Sequence, residues 1–250
     1  MQVTPVRLRK LLPPRDSLRE ALRASRFSPK DGDVVVISSK VVSIDEGATT
    51  PMEGKDKNAL IFSEADWYKK APRTSKYRKR FTIAKGALVG SAGIDESNGN
   101  GSYILYPSDP FKSARALRAW IQKEYRVRKL ALIISDSNST PLRRGAIGFA
   151  LAWDGIDPLH DYRGTPDIFG RLMIIEMANI VDGLAAAAVV IMGESAEQTP
   201  VAVIRGAKNI SFKNRSPKLD QLLVEPGDDI FAPFFWKKPW QKGGAGKKRR

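Results

Sequence analysis

The chain holds no cysteine and a single histidine, His160, among 250 residues. Without cysteine there is no disulfide framework, no thiolate nucleophile and no Cys-ligated zinc. One histidine excludes a multi-histidine metal centre and leaves little for a histidine-centred triad; beside Asp161, His160 reads as structural or as a partly exposed loop residue. Residues 172–192 come nearest to a membrane span, but Glu176, Asn179 and Asp182 are each costly at bilayer depth, so a long buried helix is expected. The N-terminal MQVTPVRLRKLLPPRDS lacks the apolar core of a signal peptide. A cytoplasmic chain with no membrane contact follows as the expectation. Also missing are G-x-x-x-x-G-K-[ST] and a strand-coupled G-x-G-x-x-G, which removes a Walker loop and a Rossmann fingerprint.

What is present is enough apolar content, 42%, to bury one sizeable core or two small ones. Forty-two basic residues against 27 acidic ones give +15. The excess is uneven. Residues 69–80 carry seven basic side chains and no acid, and residues 237–250 carry seven more, again with no acid. The rest of the chain is nearly neutral. We read residues 1–236 as the folded region, of one or two lobes, and residues 237–250 as a solvated, disordered tail. Both basic segments invite a polyanion such as RNA or a ribosome. The internal one, with Trp67, Tyr68 and Tyr77 nearby, is the better phosphate-facing surface.

The β-branched run at 33–43 predicts a central strand. Residues 81–91 and 103–106 predict further strands, separated by the turn signal Asn98-Gly99-Asn100-Gly101. Ser108-Asp109-Pro110 opens a helix to about Tyr125. Strands at 129–135, 146–153 and 201–205 complete an α/β pattern of mixed sheets, with the long helix before the last. Three polar clusters follow apolar segments: Gly93-Ile94-Asp95-Glu96-Ser97-Asn98, Ser135-Asp136-Ser137-Asn138-Ser139-Thr140, and Gly193-Glu194-Ser195-Ala196-Glu197-Gln198. Such oxygen donors suit magnesium or manganese, though any one Asp can equally cap a turn. Arg143 and Arg144 suit a phosphate or carboxylate, or equally a surface salt bridge.

With Asp161-Tyr162-Arg163-Gly164, Asp167-Ile168-Phe169-Gly170-Arg171, Asp182-Gly183-Leu184-Ala185 and Pro200-Val201-Ala202-Val203-Ile204-Arg205-Gly206 in the same order, the sequence resembles the coenzyme F-420 gamma-glutamyl ligase family from about Val6 to Gly206. The resemblance implies an unusual α/β fold in which two chains interlock as a homodimer. It implies a ligase that joins L-glutamate to an acidic acceptor through an acyl phosphate, using GTP (or ATP) and two divalent metals, Mg2+ or Mn2+, with K+ as a further candidate. Asp95 and Asp136 would hold one metal; Ser137, where the family usually has threonine, and Glu194 would serve the second. Ser39, Lys40, Asn98 and Gly193 match nucleotide-contacting positions, and Leu12, Pro13 and Pro14 a loop touching the base. Arg143, Arg144 and Arg163 are candidates for substrate or phosphate. No residue is nominated as general base.

The chain departs from the family at Ile44, where a lysine is expected near the nucleotide, and at the Gly99-Asn100-Gly101 insertion. A relative that glutamylates a peptide or protein is one alternative. A non-enzymatic RNA- or ribosome-binding protein that reuses the fold is the competing class.

Overall fold

The run Val34–Ile37 is apolar at every position because it is buried on both faces of a sheet. It lies in β2 (Asp33–Ser38). In the computed structural model, which describes residues 1–69, 80–214, 219–225, 227–235 and 240–245, β2 follows β1 (Gln2–Val6) and α1 (Leu18–Arg23). Next come α2 (Ser39–Glu46), β3 (Thr49–Pro51), α3 (Lys57–Glu64), β4 (Trp67–Lys69), β5 (Phe81–Ala84), β6 (Ala87–Gly90), β7 (Ser102–Ile104) and α4 (Pro110–Tyr125). The second half holds β8 (Leu130–Ser139), β9 (Ala146–Asp154), β10 (Leu159–Asp161), β11 (Met177–Asn179), α5 (Ile180–Met192) and β12 (Val201–Arg205). The short α6 (Ala232–Phe235) and β13 (Gln241–Lys242) close the described chain.

The main sheet runs β1-β12-β2-β8-β9, with β2 and β8 parallel and the other pairs antiparallel. Val35, Ile37, Leu132 and Ile134 face α1, α2 and α4; Val34, Val36, Ala131 and Ile133 face α5 through Val181, Leu184, Ala185 and Ala188. The strand period of two thus divides one sheet between two apolar layers. A four-stranded antiparallel sheet, β13-β4-β5-β6, and the pairs β3-β7 and β10-β11 are built around it. These mixed sheets agree with the expected α/β class, and Asp109 caps α4 through the Lys112 N–H as expected. No helix among the described residues is long and apolar enough to cross a membrane.

Five expectations change. The strand expected at 33–43 stops at Ser38, and α2 starts at once; Val41, Val42 and Ile44 then bury against the main sheet, so packing overrides β-branched propensity. The single strand at 81–91 is a hairpin turning at Lys85-Gly86, both at positive φ. β8 continues through its polar end to Ser139, so Asp136 and Ser137 lie within a strand, opposite Phe149 and Gly148, rather than after it. The long helix begins only at Ile180; Ile174 and Ile175 before it are exposed. The tail is partly structured: β13 pairs with β4, Lys242 opposite Trp67. The other residues of 69–80 and 237–250 lie mostly outside the described ones.

Candidate functional site

β2 and β8 run in parallel register, Ser38 beside Ser135, so the start of α2 lies next to Asp136. Parallel α/β strands place ligands at such C-terminal ends. Lys40, in the first turn of α2, reaches across this end: its Nζ lies 2.8 Å from Asp95 Oδ2 and donates to Ser97 Oγ at 2.8 Å. Asp95 is fixed by its backbone, which exchanges hydrogen bonds with Ile104 at 3.0 and 2.9 Å. Two residues beyond Ile104, the Tyr106 hydroxyl donates to Asp136 Oδ2 at 2.5 Å. Beyond Asp136, Ser137 Oγ donates to Glu194 Oε2 at 3.1 Å, and Asn98 Nδ2 donates to the Ser195 carbonyl at 3.0 Å. Residues from α2, the 91–98 loop, β8 and the C-terminal end of α5 therefore form one polar group.

Its electrostatics are asymmetric. Burial pushes the Asp136 carboxyl up to about 6, with the neighbouring Asp95 charge adding to the rise and the Tyr106 and Ser137 hydrogen bonds opposing it. Burial acts on Asp95 in the same direction, but the hydrogen bond and charge of Lys40 outweigh it and hold that carboxyl below its ordinary value. Burial, then Asp136 itself, drive the Tyr106 phenol well above its ordinary value, so it remains a donor. The acid pair is short of positive charge.

The oxygen-only donor set fits a hard divalent ion. No three carboxylates converge among the described residues closely enough to chelate one unaided.

Tyr106 is the member that sequence reasoning missed; Ser97 stood within the Gly93–Asn98 cluster without a role of its own. The fit shows only in the fold: a Cβ at Gly93 would fall 2.0 Å from the Tyr106 ring, and the Gly93 φ is +71°. Glycine permits the approach that brings the phenol to Asp136.

Other candidates lie apart from this group or outside its hydrogen bonds. Ser39 is buried at the head of α2. Gly193 ends α5 at positive φ, against Glu197. The Leu12–Pro13–Pro14 turn is tied to Asp16 and Thr49. Arg143 and Arg144 are exposed on the β8–β9 turn. Arg163 forms a bidentate pair with Asp161 on the arm between β10 and β11, and His160 stacks edge-on with Tyr162. Ile44 is buried in the core.

Residues 14–206 match the family model described as F420-0:Gamma-glutamyl ligase. A coenzyme F420:L-glutamate ligase of Methanopyrus kandleri is 31% identical over 247 residues, covering 92% of this chain and 97% of that protein. The ligase of the same name from Methanocaldococcus jannaschii is 32% identical over 227 residues, 83% and 87% of the two chains. That from Archaeoglobus fulgidus is 33% identical over 220 residues, 82% and 88%.

Proposed function

The chain belongs to the F420-0:gamma-glutamyl ligase family, and from that premise we propose that it is a metal- and nucleotide-dependent ligase joining L-glutamate to a carboxylate acceptor. The observation that supports this reading is the grouping of Lys40, Asp95 and Asp136 beside the C-terminal end of β2, with the Ser137–Glu194 hydrogen bond at the next residue of β8.

An acceptor carboxylate is a poor acylating agent until an oxygen becomes a leaving group. Attack of that oxygen on a nucleotide γ-phosphorus gives an acyl phosphate and releases the nucleoside diphosphate. The glutamate amine then displaces inorganic phosphate. Asp95 and Asp136 would hold one divalent ion, with Ser137 and Glu194 serving a second; such ions neutralise phosphate charge and align the reacting oxygens. Lys40 holds Asp95 ionised and adds positive charge where a triphosphate would lie. Tyr106 fixes the orientation of Asp136. GTP is the proposed nucleotide, with ATP the alternative, and Mg2+ or Mn2+ the ion. The exposed apolar arm, with Ile168 and Phe169 92% and 89% exposed, supports a homodimer.

Calorimetry with GTP and ATP, with and without magnesium or manganese, tests the site, and nucleotide consumption with glutamate and candidate acceptors tests the reaction. Tight binding that persists unchanged in excess chelator would overturn the metal-dependent reading. Nucleotide binding without turnover on any acceptor would favour the non-enzymatic alternative.

A further inference from the structure

The two basic segments are far apart in sequence, yet the four-stranded sheet joins their roots. Gln241 and Lys242 pair with Tyr68 and Trp67, so the strand that leads into residues 69–80 and the one within residues 237–250 are neighbours. Those two segments hold fourteen basic residues and no acid in a chain of net charge +15. Lys69 and Lys242, one from each segment, thereby stand on neighbouring strands of one sheet.

That sheet has two unlike faces. Tyr68, Thr82 and Ala84 point to the core: Thr82 and Ala84 are buried, and the Tyr68 ring lies 4.3 Å from Phe62. The register puts Trp67, Lys69, Phe81, Ile83 and Lys242 on the other face, Lys69 opposite Phe81 and Lys242 opposite Trp67. Trp67 and Phe81 are 39% and 38% exposed. Lys242 Nζ lies 5.8 Å from the Trp67 ring and Lys69 Nζ 4.7 Å from the Trp240 ring. Trp240 and Phe235 stack with Phe81 at 5.7 and 5.9 Å. Rings and ammonium groups alternate across one antiparallel face.

We propose that this face binds single-stranded RNA, its bases on Trp67 and the Phe81–Trp240 stack and its phosphates beside Lys69 and Lys242. The charge selects a polyanion and the rings select among polyanions. Unpaired bases offer planar faces that a duplex keeps within its own stack and that an acidic peptide lacks. Asp220, Glu225, Asp228 and Asp229, which precede Phe235 in the chain, oppose binding, so the effect is sought first at low salt. None of the proposed ligase residues takes part, and the two activities are separable.

The test is fluorescence anisotropy of the full chain with a 5′-labelled oligouridine, titrated across salt concentrations. Affinity should fall with salt at a slope of about −0.7 per neutralised phosphate. Lys69→Gln and Lys242→Gln should each flatten that slope. Trp67→Ala should weaken binding about 5- to 150-fold with the slope kept, in line with the loss of one stacked base, and Trp67→Phe should recover most of it. Trp67→Leu, which keeps apolar volume but loses the ring, decides the matter if Trp67→Ala melts early. Unchanged affinity in a folded Trp67→Leu, equal binding of duplex RNA of the same length, or binding to phosphatidylglycerol vesicles but not to RNA would each overturn the proposal.

Discussion

In the proposed site Asp136 is the most deeply buried carboxylate, and its neighbours say how it should respond to change. Asp136→Asn keeps the shape and the Tyr106 hydrogen bond while removing a buried charge that repels Asp95. We expect turnover to be lost and, in chelator, the melting temperature to hold or rise. Metal titration and melting of both proteins in parallel check this; full activity with unchanged metal affinity would remove Asp136 from the site. Tyr106→Phe keeps the ring against Gly93 and deletes only the donor. A loss of about 10- to 100-fold in metal affinity or activity is expected, the usual scale for a residue that orients a metal-binding group. Both aspartates could be nominated from the sequence because each lies in a polar cluster beside an apolar segment. Tyr106 could not, since a lone tyrosine after a short strand reads as core packing until the ring is seen against Gly93.

At the scale of elements, the loop between β1 and α1 depends on Asp16. It accepts from Arg9 at 2.6 and 2.8 Å and from the Leu12 and Ser17 N–H groups. The Arg9 hydrogen bond, opposed by burial and assisted by those N–H groups, holds the Asp16 carboxyl well below the usual carboxylate range. A group depressed in the folded state stabilises at pH above its unfolded value, about 4, and loses that contribution as pH falls towards the folded one. The acid limb of a melting-temperature profile should therefore flatten in Asp16→Asn. If the Leu12–Pro14 turn touches the base, nucleotide affinity should fall in the same variant. Gly93→Ala is the harsher change: positive φ costs about 1–2 kcal/mol for a residue with a Cβ, and the methyl collides with the Tyr106 ring. A lowered melting point together with lost metal-dependent nucleotide binding is the expected pair of effects. Two elements misled sequence reasoning for physical reasons. In α2, Val41, Val42 and Ile44 carry strand propensity but are fixed by burial. At 172–179, apolar residues lie outside the helix, and residue type alone does not report which apolar segments stay uncovered.

For the molecule as a whole, the ordered part of the tail alters what truncation should do. Removing residues 237–250 takes away β13 and Trp240, uncovering one edge of β4 and one ring stacked on Phe81. Removing only 246–250 leaves those contacts intact. Melting should fall measurably for the first truncation and stay at the wild-type value for the second, and the proposed ligase turnover should survive both. Equal melting of the two shortened chains would return the whole tail to a solvated appendage.

The order of strands in the main sheet differs sharply from their order of synthesis. β2 lies between β8 and β12, so its first partner is made only when Leu130 is, and its second only at Val201. β1 waits for β12 as well, with Gln2 opposite Arg205. Until Leu130 is made the run Val34–Ile37 has neither neighbour, and until Val201 it keeps one edge unpaired, an apolar β-prone segment of the kind that sticks to other chains. Burial of its two faces, not local propensity, stabilises it, and that burial arrives late. A nascent chain stalled before residue 201 should therefore be a strong chaperone client and prone to aggregate, and one extended beyond residue 205 and clear of the exit tunnel should not.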